Sequence, residues 1–347
     1  MINNQGSHPI LAKLARFQFL GRSPVGFYLR LNKLVWNRLP SRVRNLNVIR
    51  SYGMWLHSLV CLSARRQQFF GTFFLRNRPA LELMRRVAGQ KPHGATLTIA
   101  VLGCSVGAEI YSILWTLRAT RPDLKVILEA VDISPEIVSF AEKGIYTPNT
   151  SDLVGASIFE RLTEAEKVEM FDWDGDQATV KSWLKEGIRW HVQDVADPEL
   201  ISILGPQDIV VASNFLCHMP QAEAERCLGN IARFVSPGGY LFVSGVDLDV
   251  RTKTAIGLGW EPVRDLVEEI HDGDRSVRAD WPWAWWALEP LNRKRPDWQT
   301  RYAVAFRIGG PEPSRTSSSS ATLANQARVN RSTPVQHPQA SPPGCCK

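Results

Sequence analysis

Residues 98–135, TIAVLGCSVGAEIYSILWTLRATRPDLKVILEAVDISP, hold the feature that most narrows the fold. The apolar run Ile99 to Leu102 feeds a tight turn, Gly103-Cys104-Ser105-Val106-Gly107. A helical pattern follows, then a second apolar run that ends on Asp132. Strand, glycine loop, helix, strand and acid form the unit in which α/β folds hold adenosine-containing cofactors. Glycines let the backbone approach a ligand where a Cβ would collide with it. An acid closing the second strand lies beside the ribose and can accept hydrogen bonds from its hydroxyls.

Ser105 stands where a dinucleotide G-x-G-x-x-G loop has its second glycine, the one that makes room for a pyrophosphate. The shortened G-x-S-x-G loop suits S-adenosylmethionine, which has no phosphates to cradle. Further strands are expected at 97–102, 126–131, 188–193, 208–213, 240–245 and 302–307. Helices of period 3.6 are expected between them, at 108–119, 135–143, 164–170 and 221–234, with the Pro237-Gly238-Gly239 turn closing the last. Strands alternating with helices predict a doubly wound, largely parallel sheet. Ligands of such sheets bind beyond the carboxyl ends of the strands, where Asp132, Asp194 and Asn214 fall.

Residues 1–92 read differently, as short amphipathic helices (8–20, 25–39, 45–70 and 80–89) punctuated by Pro24, Pro40 and Pro79. Residues 1–90 hold 13 Arg and 2 Lys against one acid, Glu82, although the whole chain is only +7. A basic helical domain on an acidic body predicts an acidic protein or an anionic surface as partner. Residues 309–347, rich in Ser, Pro and Gly, are expected to be disordered. No uncharged apolar run reaches the roughly 18 residues of a membrane span. The polar opening, MINNQGSHP, lacks a secretory pattern, so a cytoplasmic setting is expected. The six cysteines form no C-x-x-C pair, which argues against zinc and a disulfide framework.

With these residues in place, the chain resembles the CheR-type methyltransferases, which use S-adenosylmethionine to esterify glutamates on chemotaxis receptors. The resemblance covers roughly residues 65–245. It rests on Thr72-Phe73-Phe74-Leu75-Arg76, Gly107-Ala108-Glu109-Ile110-Tyr111-Ser112 and Asp132-Ile133-Ser134 with Ala141-Glu142-Lys143-Gly144-Ile145-Tyr146. Ser213-Asn214-Phe215-Leu216-Cys217-His218-Met219 and Val235-Ser236-Pro237-Gly238-Gly239-Tyr240-Leu241 complete it, in family order. The resemblance implies a class I, Rossmann-like catalytic domain over 93–308, preceded by the small all-helical domain of 1–92. It implies that Thr72, Arg76, Gly103, Ser105, Gly107, Glu109, Asp132, Ile133, Asp194, Val195, Asn214 and Phe215 surround the cofactor. Arg76 and His218 would serve the methyl transfer itself.

Three positions depart from the family pattern: Ala108 and Ser213 replace Glu and Arg, and His218 replaces Tyr. A carboxylate acceptor is ionised at neutral pH and needs no base, whereas an alcohol, phenol or ammonium must lose a proton. His218 in place of Tyr therefore points to an acceptor other than a receptor glutamate, while the resemblance implies methyl transfer to a carboxylate or other nucleophile on a protein, which is the leading expectation. The alternatives are a small-molecule O- or N-methyltransferase with His218 as base, and a catalytically silent cofactor-binding sensor. An insert at about 247–300 carries four tryptophans between 281 and 286, a candidate pocket wall or core patch. Its Asp247, Asp249, His271, Asp272 and Asp274 match no Ca²⁺ loop, and no metal is expected.

Overall fold

The structure, a computed structural model, describes residues 24–64, 66, 70–150 and 157–309. The expected helix at 8–20 and all but the first residue of the expected disordered tail lie outside them. The helices are α1 (Pro24–Arg38), α2 (Asn47–Ser63), α3 (Arg78–Ala88), α4 (Ala108–Thr120), α5 (Pro135–Lys143), α6 (Glu164–Met170), α7 (Gln221–Ile231), α8 (Leu248–Gly257), α9 (Val267–Gly273) and α10 (Trp298–Tyr302), besides shorter turns. The strands are β1 (Thr96–Leu102), β2 (Lys125–Asp132), β3 (Ile145–Tyr146), β4 (Phe171–Asp174), β5 (Gln177–Val180), β6 (Ile188–Val192), β7 (Gln207–Ser213), β8 (Val235–Ser244), β9 (Glu261–Pro262) and β10 (Ala305–Arg307).

Seven strands form one sheet in the order β6-β2-β1-β7-β8-β10-β9. The first five are parallel, and β10 runs antiparallel to both its neighbours. The central strands read as unbroken apolar runs because both faces are covered. Leu97, Ile99 and Val101 of β1 enter the core under α3 and α4, and Ala100 and Leu102 enter the core under α7. β7 divides the same way, with Ile209 and Val211 on one face and Val210 and Ala212 on the other. The exception is Glu129 in β2, buried but bonded to Arg189 and His191 of the neighbouring strand at 2.8 Å each.

A second, antiparallel sheet, β3-β5-β4, hangs beyond α5. Its hairpin turns at Gly175, whose φ of 57° is a glycine conformation. Phe74 joins this sheet to the main body, edge-on to Tyr146 at 5.1 Å and to Phe171 at 5.0 Å.

Several boundaries differ from expectation: the helix expected at 45–70 ends at Ser63, and the α-helix expected at 221–234 ends at Ile231 and passes into a 3-10 turn. Residues 298–302 are helical, so the last strand starts only at Ala305. That helix carries Arg301 and Tyr302 inward to Glu289, a tertiary pairing that outweighs local strand propensity. Pro237-Gly238-Gly239 does not precede β8 but lies within it, because Gly238 and Gly239 exchange backbone hydrogen bonds with Ile308.

Candidate active site

Strand register builds the site. Leu102 lies opposite Val131 of β2 and Ala212 of β7, so three adjacent strands end level, at Gly103, Asp132 and Ser213. Asp132 pairs with Val192 and Ser213 with Ser244, which brings Asp194 and Gly245 to the same edge. The winding reverses between β1 and β7, the point where open α/β sheets receive ligands. A cavity of about 1860 Å³ opens there. Single-ligand pockets measure roughly 300–1,000 Å³, so this one has room for a second reactant.

The floor comes from the loops after β1, β2 and β7. Gly103 takes φ 72°, and a Cβ on it would stand 2.8 Å from the Phe215 ring. Ser105 (φ 51°), Asn214 (φ 61°) and Leu75 (φ 50°) are non-glycine residues in the left-handed region, at or beside the cavity. Such backbones cost about 1–3 kcal/mol each and gather at functional sites. The Asp132 carboxylate is fixed by the Ser105 N–H at 2.9 Å and the Ser134 N–H at 3.3 Å, and each oxygen keeps a further acceptor position. Next to it, Ile133 is 52 % exposed. Asp194 accepts from the Ala196 N–H, and Val195 packs beneath it. Gly245 closes the edge: a Cβ on it would fall 2.4 Å from the Asn214 Cα.

Glu109, in the first turn of α4, lines the cavity and is bonded by Ser213. Burial raises its carboxyl, against the lowering by that hydrogen bond and by the Arg76 charge. The position of that serine is the one where the family pattern has an arginine. Ala108 is wholly buried and Gly107 does not line the cavity. Gly107 instead caps α4 at φ 88°, with Ala141 and Tyr146 each 3.1 Å from where its Cβ would be.

Thr72 and Arg76 reach the cavity from the segment before α3, with the Arg76 Nε donating to Asp274 at 2.8 Å. Arg161 holds the other Asp274 oxygen and lies 4.0 Å over the Phe73 ring. On the opposite wall His218 stands edge-on to Trp285, ring centres 5.2 Å apart. Arg66 fixes this wall. It donates to the carbonyls on either side of His218, Cys217 O at 3.0 Å and Met219 O at 2.7 Å, and to Asp247 at 2.8 Å. The thiols of Cys61 and Cys217 are pushed up by burial to about 12, so neither is a thiolate nucleophile at neutral pH.

The tryptophans of the insert divide between two jobs. Trp281 and Trp283 pack edge-on against Trp36 of α1, at 5.7 and 6.2 Å, while Trp285 and Trp286 line the cavity. The four aspartates weighed as metal ligands pair with guanidinium groups instead: Asp247 with Arg66, Asp249 with Arg301, Asp272 with Arg278 and Asp274 with Arg76. No group of three or more His, Cys, Asp or Glu among the described residues is arranged to hold a metal ion. Arg66 and Asp274 are site residues to which the sequence assigned no role, whereas Trp285 belongs to the tryptophans expected as a pocket wall or core patch. Pairing across 181 or 198 residues leaves no trace in local spacing.

The glycine cradle, the oriented Asp132, the exposed Ile133 and the carboxylate of Glu109 suit an adenosine ligand that carries a cationic end. The family model described as CheR methyltransferase, SAM binding domain, matches residues 71–253. The chain belongs to the CheR methyltransferase family. Its cofactor is S-adenosylmethionine, and its fold is the class I, Rossmann-like one. Among curated relatives, this CheR-family chain is 24 % identical over 214 residues to a probable biofilm formation methyltransferase, WspC, of Pseudomonas aeruginosa, covering 60 % of this chain and 48 % of that one. It is 26 % identical over 145 residues to a chemotaxis protein methyltransferase of Vibrio parahaemolyticus, covering 40 % and 50 %. The chain thus spans about half the length of these relatives. Among solved structures, the magnesium protoporphyrin IX methyltransferase of Synechocystis PCC 6803 is 16 % identical, covering 70 % of this chain and 83 % of that one with a TM-score of 0.31. That likeness is too slight to transfer any residue's role.

Proposed function

We propose that this chain transfers the methyl group of S-adenosylmethionine to a nucleophile that enters the cavity between Arg76 and His218. The observation that carries this is the joining of cofactor floor and acceptor wall in one cavity larger than a single ligand. When bound, the cofactor supplies an electrophilic methyl on a sulfonium. Asp132 accepts from the ribose hydroxyls, and Ile133 and Val195 flank the adenine near Asp194. Thr72, Gly103, Ser105, Asn214 and Phe215 shape the remainder, and Glu109 faces the cationic end. In-line displacement gains chiefly from alignment of the reactants, so the fixed His218 and Arg76 walls serve to orient the acceptor. The leading acceptor is a carboxylate or another nucleophile on a protein, in keeping with the chemotaxis methyltransferase among the relatives.

A second reading, a small-molecule O- or N-methyltransferase, is favoured by the aromatic wall. His218 is set against Trp285, next to Trp286, where a flat acceptor with a dissociable proton would meet a base.

Calorimetric titration with S-adenosylmethionine and S-adenosylhomocysteine tests the cofactor half. Micromolar binding that falls at least tenfold in Asp132→Ala supports it, and absence of heat from folded protein overturns it. Transfer of labelled methyl then separates the acceptors. Base-labile label on protein favours the carboxylate, while a rate lost in His218→Ala with cofactor binding kept favours the small molecule.

A further inference from the structure

From Pro24 to Ser63 the chain has six cations, Arg30, Lys33, Arg38, Arg42, Arg44 and Arg50, and no acid. None of the six forms an ion pair among the described residues, whose basic partners begin at Arg66. Downstream many cations are paired with acids; here Arg38, Arg44 and Arg50 donate to backbone carbonyls and keep their charge unbalanced.

The helix that carries three of them has an apolar face turned outward. Trp36, the buried residue of α1, packs inward on Trp281 and Trp283. Phe27 precedes it by nine residues, about two and a half helical turns, and so points away from the body. Leu31, Leu34 and Val35 follow Phe27 at three- and four-residue spacing on that side, and the four are 70, 52, 57 and 55 % exposed. A surface helix of a globular protein ordinarily keeps this face polar. Arg38, about three turns on from Phe27, lies in line with the stripe, and Arg30 borders it.

Beside the stripe stands a group of half-exposed aromatic rings with polar tips. Trp55 stacks on Tyr52 at 5.7 Å and meets Tyr28 edge-on at 5.8 Å, and the two tyrosine hydroxyls are 2.6 Å apart. Rings with one apolar and one wet end are those that settle at a bilayer's interface.

We propose that the outward face of α1, with the Tyr52–Trp55 flank of α2, binds the surface of an anionic lipid bilayer. Phe27, Leu31 and Leu34 enter the headgroup–acyl boundary while Arg30, Lys33 and Arg38 meet the headgroups. A second copy of the chain fits this face badly, because it would bring unpaired cations together. Nucleic acid fits badly too, because the centre of the face is aliphatic. Trp55 also lines the cavity, so a bilayer held here borders it.

Sedimentation of the full chain with vesicles tests the proposal, using phosphatidylcholine alone and phosphatidylcholine mixed with phosphatidylserine. The expected result is binding to the mixed vesicles only, weakened by salt. Arg30→Glu with Lys33→Glu should weaken it at least fivefold for each charge removed. Leu31→Gln with Leu34→Gln, which leaves the charge alone, should weaken it at least tenfold. These side chains are exposed, so unchanged circular dichroism and melting would certify each variant as folded. Equal binding to both vesicles, or binding untouched by the leucine pair, would overturn the proposal. So would a chain that leaves vesicles unbound and associates with polyglutamate, which would assign the face to an acidic protein.

Discussion

Arg66 carries more of the wall around His218 than its place in the sequence suggests. Its side chain is 8 % exposed, as is that of Asp247, so the pair is buried and each charge relies on the other. Removing one member of such a pair typically costs about 3–5 kcal/mol, because the partner is left charged and dry. Arg66→Ala should therefore lower the urea midpoint strongly. Arg66→Lys, which restores the charge without the forked donor geometry, should recover part of that loss. The discriminating readout is chemical: in Arg66→Lys, methyl transfer should fall further than cofactor affinity, since the carbonyls bracketing His218 lose a donor while Asp132 is untouched. Equal loss of both would sink this assignment.

At the scale of elements, the Trp-rich insert is stitched to the N-terminal helices through a glycine. A Cβ on Gly53 of α2 would fall 2.5 Å from the Trp281 ring and 2.6 Å from that of Trp36. Glycine to alanine within a helix usually gains about 1 kcal/mol, whereas overpacking a rigid core costs about 1–3 kcal/mol. The rings leave no slack, so Gly53→Ala should be destabilising and lower the melting temperature; a rise would show that the insert can shift. The sequence conveyed the parallel strands, α5 and α6 because their signals are local: apolar runs, Ser134 before Pro135, and the Thr163–Glu166 capping box. It conveyed the floor of the cavity for the same reason, as Gly103, Ser105 and Asp132 lie in one βαβ unit. The hairpin of β4 and β5 escaped notice although Asp174-Gly175 is a turn signal. The insert's partners were illegible in a stronger sense. Asp274 to Arg76 and Trp281 to Gly53 join stretches roughly two hundred residues apart, and no periodicity encodes such a meeting.

Across the whole molecule, buried histidines set the response to acid. Burial pushes His271 down to about 4, and it lowers His57 as well. An unfolded histidine titrates near 6.5, so between about 6.5 and about 4 the unfolded chain binds the proton and the native one does not. Stability must therefore fall as pH drops through that window and level off below it, by up to about 3 kcal/mol for His271. The carboxyls of Glu82 and Glu166, held down to about 2 by Arg85 and Arg78, lose their contribution only at lower pH. Urea midpoints at pH 7 and pH 5 should thus differ, and the gap should narrow in His271→Asn. An unchanged gap would mean that His271 takes up its proton without unfolding.

The cavity's two halves are inherited in different ways. Its floor is written into backbone register, where shifting β1, β2 or β7 by one residue would scatter Gly103, Asp132 and Ser213 at once. Its far wall depends on one guanidinium and on a stretch of chain between β9 and α10 that adds no strand to the sheet. Selection can therefore rewrite the stretch between β9 and α10 while the floor of the cavity stays as it was. A lineage built on this plan would keep one reagent for good and change its customers by exchanging a single cassette.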